Sequence, residues 1–156
     1  MNTLIKKAYG MGLRYLSIRQ RSLLEMNDYL LKKGFTTQDV AKVTQQLMDQ
    51  NYLNDREFAQ NYLENRKRNK PKSLFAFRYE LKTKGIDPHI IDELLIEYDD
   101  LELAFLAVKS KIRLWQHLET SSFKKKIFGY LQYRGFGFAV IQSTWQKILE
   151  SHLDTD

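Results

Sequence analysis

Basic side chains are the residues of this 156-residue chain whose types and spacing best suit a binding chemistry. The densest run of them leaves one predicted helix and enters the next: Arg66, Lys67, Arg68, Lys70 and Lys72. Ammonium and guanidinium groups attract phosphates and carboxylates, and crowding them costs a self-repulsion that a surface of mixed charge avoids. The run therefore predicts a site for an acidic partner. The alternative interpretation is a surface that only aids solubility.

Two further groups of bases lie near the starts of other predicted helices. Lys124, Lys125 and Lys126 form one group, and Arg19 and Arg21 lie at the comparable place near the N-terminus. If the chain repeats, bases at one corner of each unit would form an interrupted stripe that suits phosphates or an acidic groove. The complete predicted partner-binding set is Arg19, Arg21, Arg66, Lys67, Arg68, Lys70, Lys72, Lys124, Lys125, Lys126, Tyr133 and Arg134.

Aromatic side chains offer a second binding chemistry, because rings can stack on the bases of single-stranded nucleic acid. Phe75 with Tyr79, and Phe128 with Leu131, fall at helical spacing, so we predict that they belong to the core. Tyr133 stands outside the leucine position and is the aromatic residue that we most expect to be exposed.

The remaining polar residues form no catalytic or metal-binding pattern. The chain has no cysteine, which removes disulfides, thiolate zinc sites and a cysteine nucleophile. Its three histidines lack metal-ligand spacing such as a pair four positions apart: His89, His117 and His152. Ser22 has no identifiable base and is better explained as a helix cap. We therefore predict no enzymatic activity, no metal site and no cofactor.

Helices must position these side chains. Only two prolines and seven glycines occur, too few for a turn-rich β sandwich of this length. Leu23, Met26 and Leu30 recur at helical spacing, and similar stripes follow along the chain. Ser22 and Glu25 have the spacing of a capping box, in which each side chain accepts a hydrogen bond from the other's backbone N–H. The sequence predicts an all-α fold.

Three glycines reveal an internal repeat, since Gly34 lies 51 residues before Gly85, which lies 50 residues before Gly135. Each glycine follows a base, precedes Phe or Ile, and stands four positions after a leucine. We therefore predict three tandem three-helix repeats of roughly fifty residues, with each glycine closing a second helix. The predicted units are residues 1–53, 54–99 and 100–156.

The repeat also predicts where the helices lie. First helices are expected near residues 3–18, 55–69 and 100–116, and third helices near Thr37, Asp87 and Phe138. Each glycine is expected to adopt the left-handed conformation at no side-chain cost. The base before it is expected to face the negative end of its helix, and the apolar residue after it to pack on the last-turn leucine.

Overall charge and hydropathy indicate the kind of partner and the cellular compartment of the protein. A formal net charge of +6 favours acidic partners. The apolar runs are too short to span a bilayer, and the first residues lack the apolar stretch of a secretory signal. We expect a soluble, cytoplasmic protein that does not bind membranes.

Several motifs, in order, resemble the bacterial RecX regulatory family over about residues 8–149. They are Arg19-Gln20-Arg21-Ser22 and the segments at residues 29–35, 52–59, 80–86 and 131–136. One departure is visible at residues 69–72, where family members often carry a glycine. We expect this connection to differ in shape.

The resemblance implies a small non-enzymatic protein that binds the filament of the RecA recombinase on single-stranded DNA. It implies inhibition of filament growth, of strand exchange and of the coupled ATP hydrolysis. It also implies tandem three-helix units in an elongated, curved molecule, which we expect to be a monomer.

Two alternatives stay open at this point. One is a general helical-repeat nucleic-acid-binding module, and weak DNA contact through the basic patches is its minimal form. The other is a helical adaptor for an unrelated acidic protein. Affinity for bare DNA that falls steeply with salt would favour the first alternative. Binding that requires the recombinase, nucleotide and single-stranded DNA would favour the filament regulator.

Overall fold

Helices follow one another in the predicted order in a computed structural model that describes residues 2–153. The elements in this range are α1 (Thr3–Ile18), α2 (Leu23–Lys32), α3 (Thr37–Asp49), α4 (Asp55–Asn69), α5 (Leu74–Thr83), α6 (Pro88–Leu95), α7 (Asp100–Trp115), α8 (Thr120–Tyr133) and α9 (Phe138–Leu153). The described chain contains no strand. The all-α prediction is confirmed, and the predicted ends of the first helices and starts of the third helices hold to within one residue.

Helix starts follow from local capping. At α2, the Ser22 side chain accepts a hydrogen bond from the Glu25 N–H over 3.2 Å, and Glu25 Oε1 accepts one from the Ser22 N–H over 3.1 Å. At α7, the Asp99 side chain accepts from the Glu102 N–H over 3.1 Å. These bonds satisfy backbone donors that a helix start leaves without partners.

Helix ends at α2, α5 and α8 follow from the three glycines. Gly34, Gly85 and Gly135 have φ values of +95°, +79° and +93°. In each case the N–H of the next residue donates to the leucine carbonyl five positions earlier, over 3.3, 3.1 and 3.1 Å. This is the hydrogen bond of a left-handed glycine cap. Ile86 and Phe136, which follow two of the glycines, are buried.

Second helices also receive a cap from the first helix of the following repeat. The Leu23 N–H donates to Asp55 Oδ1, and the Leu74 N–H donates to Asp100 Oδ1, each over 2.8 Å. Asp55 and Asp100 begin α4 and α7, so the same contact recurs in two places. A carboxylate at a helix N-terminus is favourable. Burial raises the pKa of Asp55, although the bond from Leu23 opposes that shift.

Bases before two of the glycines add a contact that the sequence analysis did not foresee. Lys84 Nζ lies 3.4 Å from Glu25 Oε2, in the first turn of α2. Arg134 Nη1 donates to the Pro71 carbonyl over 3.3 Å, just before α5. Both side chains thus bind the start of the preceding repeat's second helix, because charged donors form strong hydrogen bonds with the acceptors there.

Two compact units bury separate sets of apolar side chains. One unit contains the chain up to Asn61 together with Leu81–Ile91, and the other contains Tyr62–Glu80 and the chain from Asp92. The first core consists of Ile5, Ala8, Met26, Leu30, Val40, Val43, Leu47 and Leu53. Fully buried residues of the second unit include Leu63, Phe77, Leu103, Ile127, Leu131 and Ile148. The predicted boundaries after residues 53 and 99 stay a prediction, and residues 154–156 lie outside the described range.

Two aromatic residues lie on the opposite side of α5 from the predicted one. Phe75 is 76% exposed and Tyr79 is 69% exposed, so the prediction that they belong to the core is wrong. Phe77, between them, is fully buried. Helical spacing shows that two residues share a face, but it does not show which face packs inward. The expected exposure of Tyr133 is confirmed at 87%.

Candidate partner-binding surface

Ion pairs hold three of the five bases in the run at the end of α4. Lys72 Nζ lies 2.8 Å from Glu80 Oε1, and Arg66 Nε lies 3.8 Å from Glu80 Oε2. Lys67 Nζ lies 2.9 Å from Glu102 Oε1. These three cations are therefore partly neutralised within the protein.

Glu80 is the acceptor that connects the end of α4 with the start of α5. It also accepts a hydrogen bond from the Tyr62 hydroxyl over 2.9 Å, and the Arg66 guanidinium lies 5.1 Å from the centre of the Tyr62 ring. Burial by itself raises the pKa of Glu80, but the hydrogen bonds from Lys72 and Tyr62 and the nearby charges lower it overall. The carboxylate thus stays ionised and holds the end of α4 against α5.

Arg68 and Lys70 differ from their neighbours. Both are exposed, and neither forms an ion pair with a residue that the structure describes. Their charges therefore face solvent without compensation. An acidic partner can therefore bind these two side chains directly, without displacing an ion pair within the protein.

The lysines at the start of α8 form a second exposed group. Lys124, Lys125 and Lys126 are all exposed. Lys124 Nζ lies 5.4 Å from the Phe128 ring centre, and Lys126 Nζ lies 5.5 Å from that of Trp115. Ring contacts of this kind are weakly attractive and leave the positive charge available.

The two bases before α2 have different environments. Arg19 is exposed, and its Nη2 lies 2.6 Å from Glu25 Oε2. Arg21 is only 7% exposed. Its guanidinium lies 3.7 Å over the Tyr15 ring, and its Nε donates to the Tyr15 carbonyl over 3.2 Å. Arg21 therefore positions the end of α1, and its guanidinium is not displayed on the surface.

Glu25 is held as a carboxylate by the contacts around it. Burial by itself raises its pKa, but the hydrogen bonds from Arg19 and the Ser22 N–H, with the charge of Lys84, lower the pKa to about 2. Because the folded pKa lies below the ordinary value of 4.5, the contribution of Glu25 to stability is full above that value. It is lost as the pH falls through the folded pKa.

We expect Glu25→Gln to lower the free energy of unfolding by about 2 kcal/mol at neutral pH, since it removes charged hydrogen bonds. The difference from the parent should shrink at about pH 3, because Glu25 is then largely protonated in the unfolded parent and folding must release that proton at a cost in free energy. Urea unfolding at both pH values measures the change. Glu64→Gln, at an exposed glutamate, is the control and should leave stability nearly unchanged. If the stability difference between Glu25→Gln and the parent were the same at both pH values, the lowered pKa of Glu25 would be wrong.

Tyr133 and Arg134 end α8 with different roles. Tyr133 is available to a partner. Arg134 is half-buried, its guanidinium lies 4.9 Å from the Tyr130 ring centre, and its backbone carbonyl accepts from the Ser73 N–H over 3.2 Å. With its bond to Pro71, Arg134 joins the end of α8 to the start of α5.

Three bases of α7 belong to the charged surface and were missed by the sequence analysis. Lys109 and Arg113 are exposed and Lys111 is half-buried. Their alternation over five positions was the available signal, but it is less conspicuous than an unbroken basic run. In the folded chain they lie beside Arg68 and Arg134.

Other kinds of site receive no support from the described residues. Among residues 2–151, no three or more His, Asp or Glu side chains are grouped so that they could hold a metal ion. No helix in this range is long and apolar enough to cross a membrane.

Each repeat matches one domain of a known family. Residues 8–47 match the family description "RecX, first three-helix domain", residues 54–95 the second three-helix domain, and residues 97–145 the third. The chain is also 33% identical over 144 residues to a protein named "Regulatory protein RecX" from Prosthecochloris aestuarii, covering 92% of this chain and 95% of that one.

The chain belongs to the RecX family.

Further RecX relatives differ in length. The protein from Chlorobaculum tepidum is 35% identical over 138 residues, which cover 88% of this chain and 86% of that one. The Bacillus pumilus protein is 33% identical over 146 residues, covering 92% of this chain but 56% of that one. The chain therefore spans little more than half the length of the Bacillus RecX proteins.

Solved RecX structures share the fold. The crystal structure of RecX from Lactobacillus salivarius has a TM-score of 0.77 and 25% identity, and covers 92% of this chain and 95% of that one. A second structure, titled "Crystal structure of regulatory protein RecX", has a TM-score of 0.74 and 23% identity, and covers 91% of this chain and 71% of that one. The family resemblance and the three tandem three-helix domains are confirmed.

Proposed function

We propose that this RecX protein binds the RecA recombinase filament on single-stranded DNA and inhibits filament growth, strand exchange and ATP hydrolysis. Its membership of a family of regulatory proteins supports the regulatory role. The observation that carries the proposal is a set of exposed cations without acidic partners, which suits the acidic surface of a nucleoprotein filament.

We assign direct contact to the members of the predicted set that are exposed and form no ion pair with a described residue: Arg68, Lys70, Lys124, Lys125, Lys126 and Tyr133. The remaining members make contacts within the protein. Arg66, Lys67 and Lys72 pair with Glu80 or Glu102, and Arg19 pairs with Glu25. Arg21 and Arg134 join helices from half-buried or buried positions.

The test replaces Lys70, Lys124 and Lys125 together by Ala and measures the ATPase activity of the cognate recombinase on single-stranded DNA. All three are exposed, so the fold should survive with changes of about 0.5 kcal/mol or less per site. We expect the concentration for half-inhibition to rise about tenfold at low salt, because the lost charges slow the encounter. The difference should shrink at high salt, since steering acts over a Debye length of about 8–10 Å.

The control replaces Lys6, Lys7 and Lys42, three exposed lysines outside the predicted set, by Ala. Equal loss in the control would mean that net charge alone matters, and the assigned contacts would be wrong. Inhibition by the triple variant at the parent's level would also refute them. If the parent protein itself left the ATPase activity unchanged, the proposed function would be refuted.

A further inference from the structure

The second compact unit contains a groove of about 710 Å³ whose charged lining residues are all basic. We name it the basic groove. It is lined by Lys67, Arg68, Asn69, Pro71, Leu106, Ala107, Lys109, Ser110, Lys111, Arg113, Tyr130 and Arg134. The volume falls within the roughly 300–1,000 Å³ typical of ligand sites.

Most of the positive charge in the basic groove is uncompensated. Among its six bases, Lys67 pairs with Glu102, which is not among the lining residues. The other five form no ion pair with a described residue: Arg68, Lys109, Lys111, Arg113 and Arg134. Five like charges in one concavity repel one another. Binding of an anion would reduce this repulsion and stabilise the folded protein.

Tyr130 organises part of this lining. Lys111 Nζ lies 5.6 Å from its ring centre, and the Arg134 guanidinium lies 4.9 Å from the same point. Trp115 packs edge-on against Tyr130 at 5.9 Å. Because two cations already bind the ring, Tyr130 holds them in position instead of offering a platform for a nucleobase.

The chemistry of the lining distinguishes between possible anionic ligands. An acidic peptide brings backbone N–H donors that require acceptors, yet the only acceptor side chains among the lining residues are Asn69, Ser110 and Tyr130, and none of them is a carboxylate. A deoxyribose–phosphate backbone brings acceptors alone, which suits ammonium and guanidinium donors. The bases come from the end of α4, from α7 and from the residue that follows α8, so three parts of the chain supply cations to one groove.

We infer that the basic groove binds the sugar–phosphate backbone of single-stranded DNA directly, without regard to sequence and without the recombinase. This goes beyond the proposed function, which concerns the filament. It also assigns a role to Lys109, Lys111 and Arg113.

The test measures fluorescence anisotropy of a labelled oligothymidylate with the full chain and no recombinase. For Lys109→Gln/Arg113→Gln we expect a dissociation constant about tenfold higher at low salt. The slope of log affinity against log salt should flatten by about 1.4, or about 0.7 for each lost phosphate contact on a single strand. Lys6→Gln/Lys42→Gln makes the same charge change at exposed sites outside the groove and should bind like the parent.

Two further measurements keep the result unambiguous. The charge-conserving Lys109→Arg/Arg113→Lys variant should retain parental affinity, which separates lost charge from disturbed folding. The oligothymidylate should also raise the melting temperature of the parent and not that of the Gln variant, because a ligand that binds only the folded state stabilises it.

Parental affinity in the Gln variant would overturn the inference, as would equal loss in the Lys6/Lys42 control. Tighter binding of duplex DNA or of polyglutamate than of the single strand would also overturn it, since each would assign the groove to another partner. The ATPase test above uses lysines that do not line the groove. Failure of one proposal therefore does not imply failure of the other.

Discussion

Replacing Gly85 by Val is expected to lower the free energy of unfolding by about 2–6 kcal/mol, the sum of backbone strain and overpacking. Gly85 has a φ of +79°, which a β-branched residue adopts only with strain. A Cβ atom there would also lie 2.6 Å from Leu24 Cβ and 2.9 Å from Leu24 Cδ2. Gly85 thus both closes α5 and lets it approach α2.

Two other glycines separate the strain from the contact. Gly34 has a φ of +95° with nothing within 4 Å of an added Cβ, so Gly34→Val should incur the strain alone, about 1–3 kcal/mol. Gly10 lies within α1 with no such contact, and Gly10→Val should incur neither. Thermal and urea unfolding give the ranking. Equal losses at Gly85 and Gly34 would show that the approach to Leu24 contributes nothing.

Phe77→Ala is expected to lower the free energy of unfolding by about 3–5 kcal/mol, whereas Phe75→Ala should change it by about 0.5 kcal/mol or less. Phe77 is fully buried and packs edge-on against Tyr98, with ring centres 6.5 Å apart. Phe75 lies two residues away on α5 and is 76% exposed. The large loss comes from removed apolar contacts and the cavity that remains.

The two Phe variants control for each other, since both lose the same atoms from one helix. Urea unfolding monitored by circular dichroism gives both free energies. Similar losses at Phe75 and Phe77 would mean that the inward face of α5 is assigned wrongly.

Local features of this RecX chain could be predicted because their causes are local. A helix start depends on a side chain within about three residues of the backbone donors it satisfies, as at Ser22. A left-handed cap depends on one residue without a side chain, as at Gly34, Gly85 and Gly135. Repetition of these signals at a near-constant period then predicted three tandem domains.

The candidate site was predictable only in part, because burial and pairing depend on distant residues. Arg19 and Arg21 look equivalent in the sequence, yet Arg19 is exposed and Arg21 is stacked on Tyr15. The basic run at the end of α4 was visible, but only the fold shows that Glu80 and Glu102 neutralise part of it.

The helix ends, the threefold repeat and the positive character of the surface could be predicted before any packing was known, since each depends on residue type and short-range spacing. Contacts between distant segments were needed to show that Phe77 is buried while Phe75 is exposed, and that Asp55 and Asp100 cap helices of the preceding repeats. They were also needed to show that Arg68, Lys109, Arg113 and Arg134 line one groove. The physical reason is that periodicity defines the faces of a helix, while packing between distant segments decides which face is buried and which charges meet.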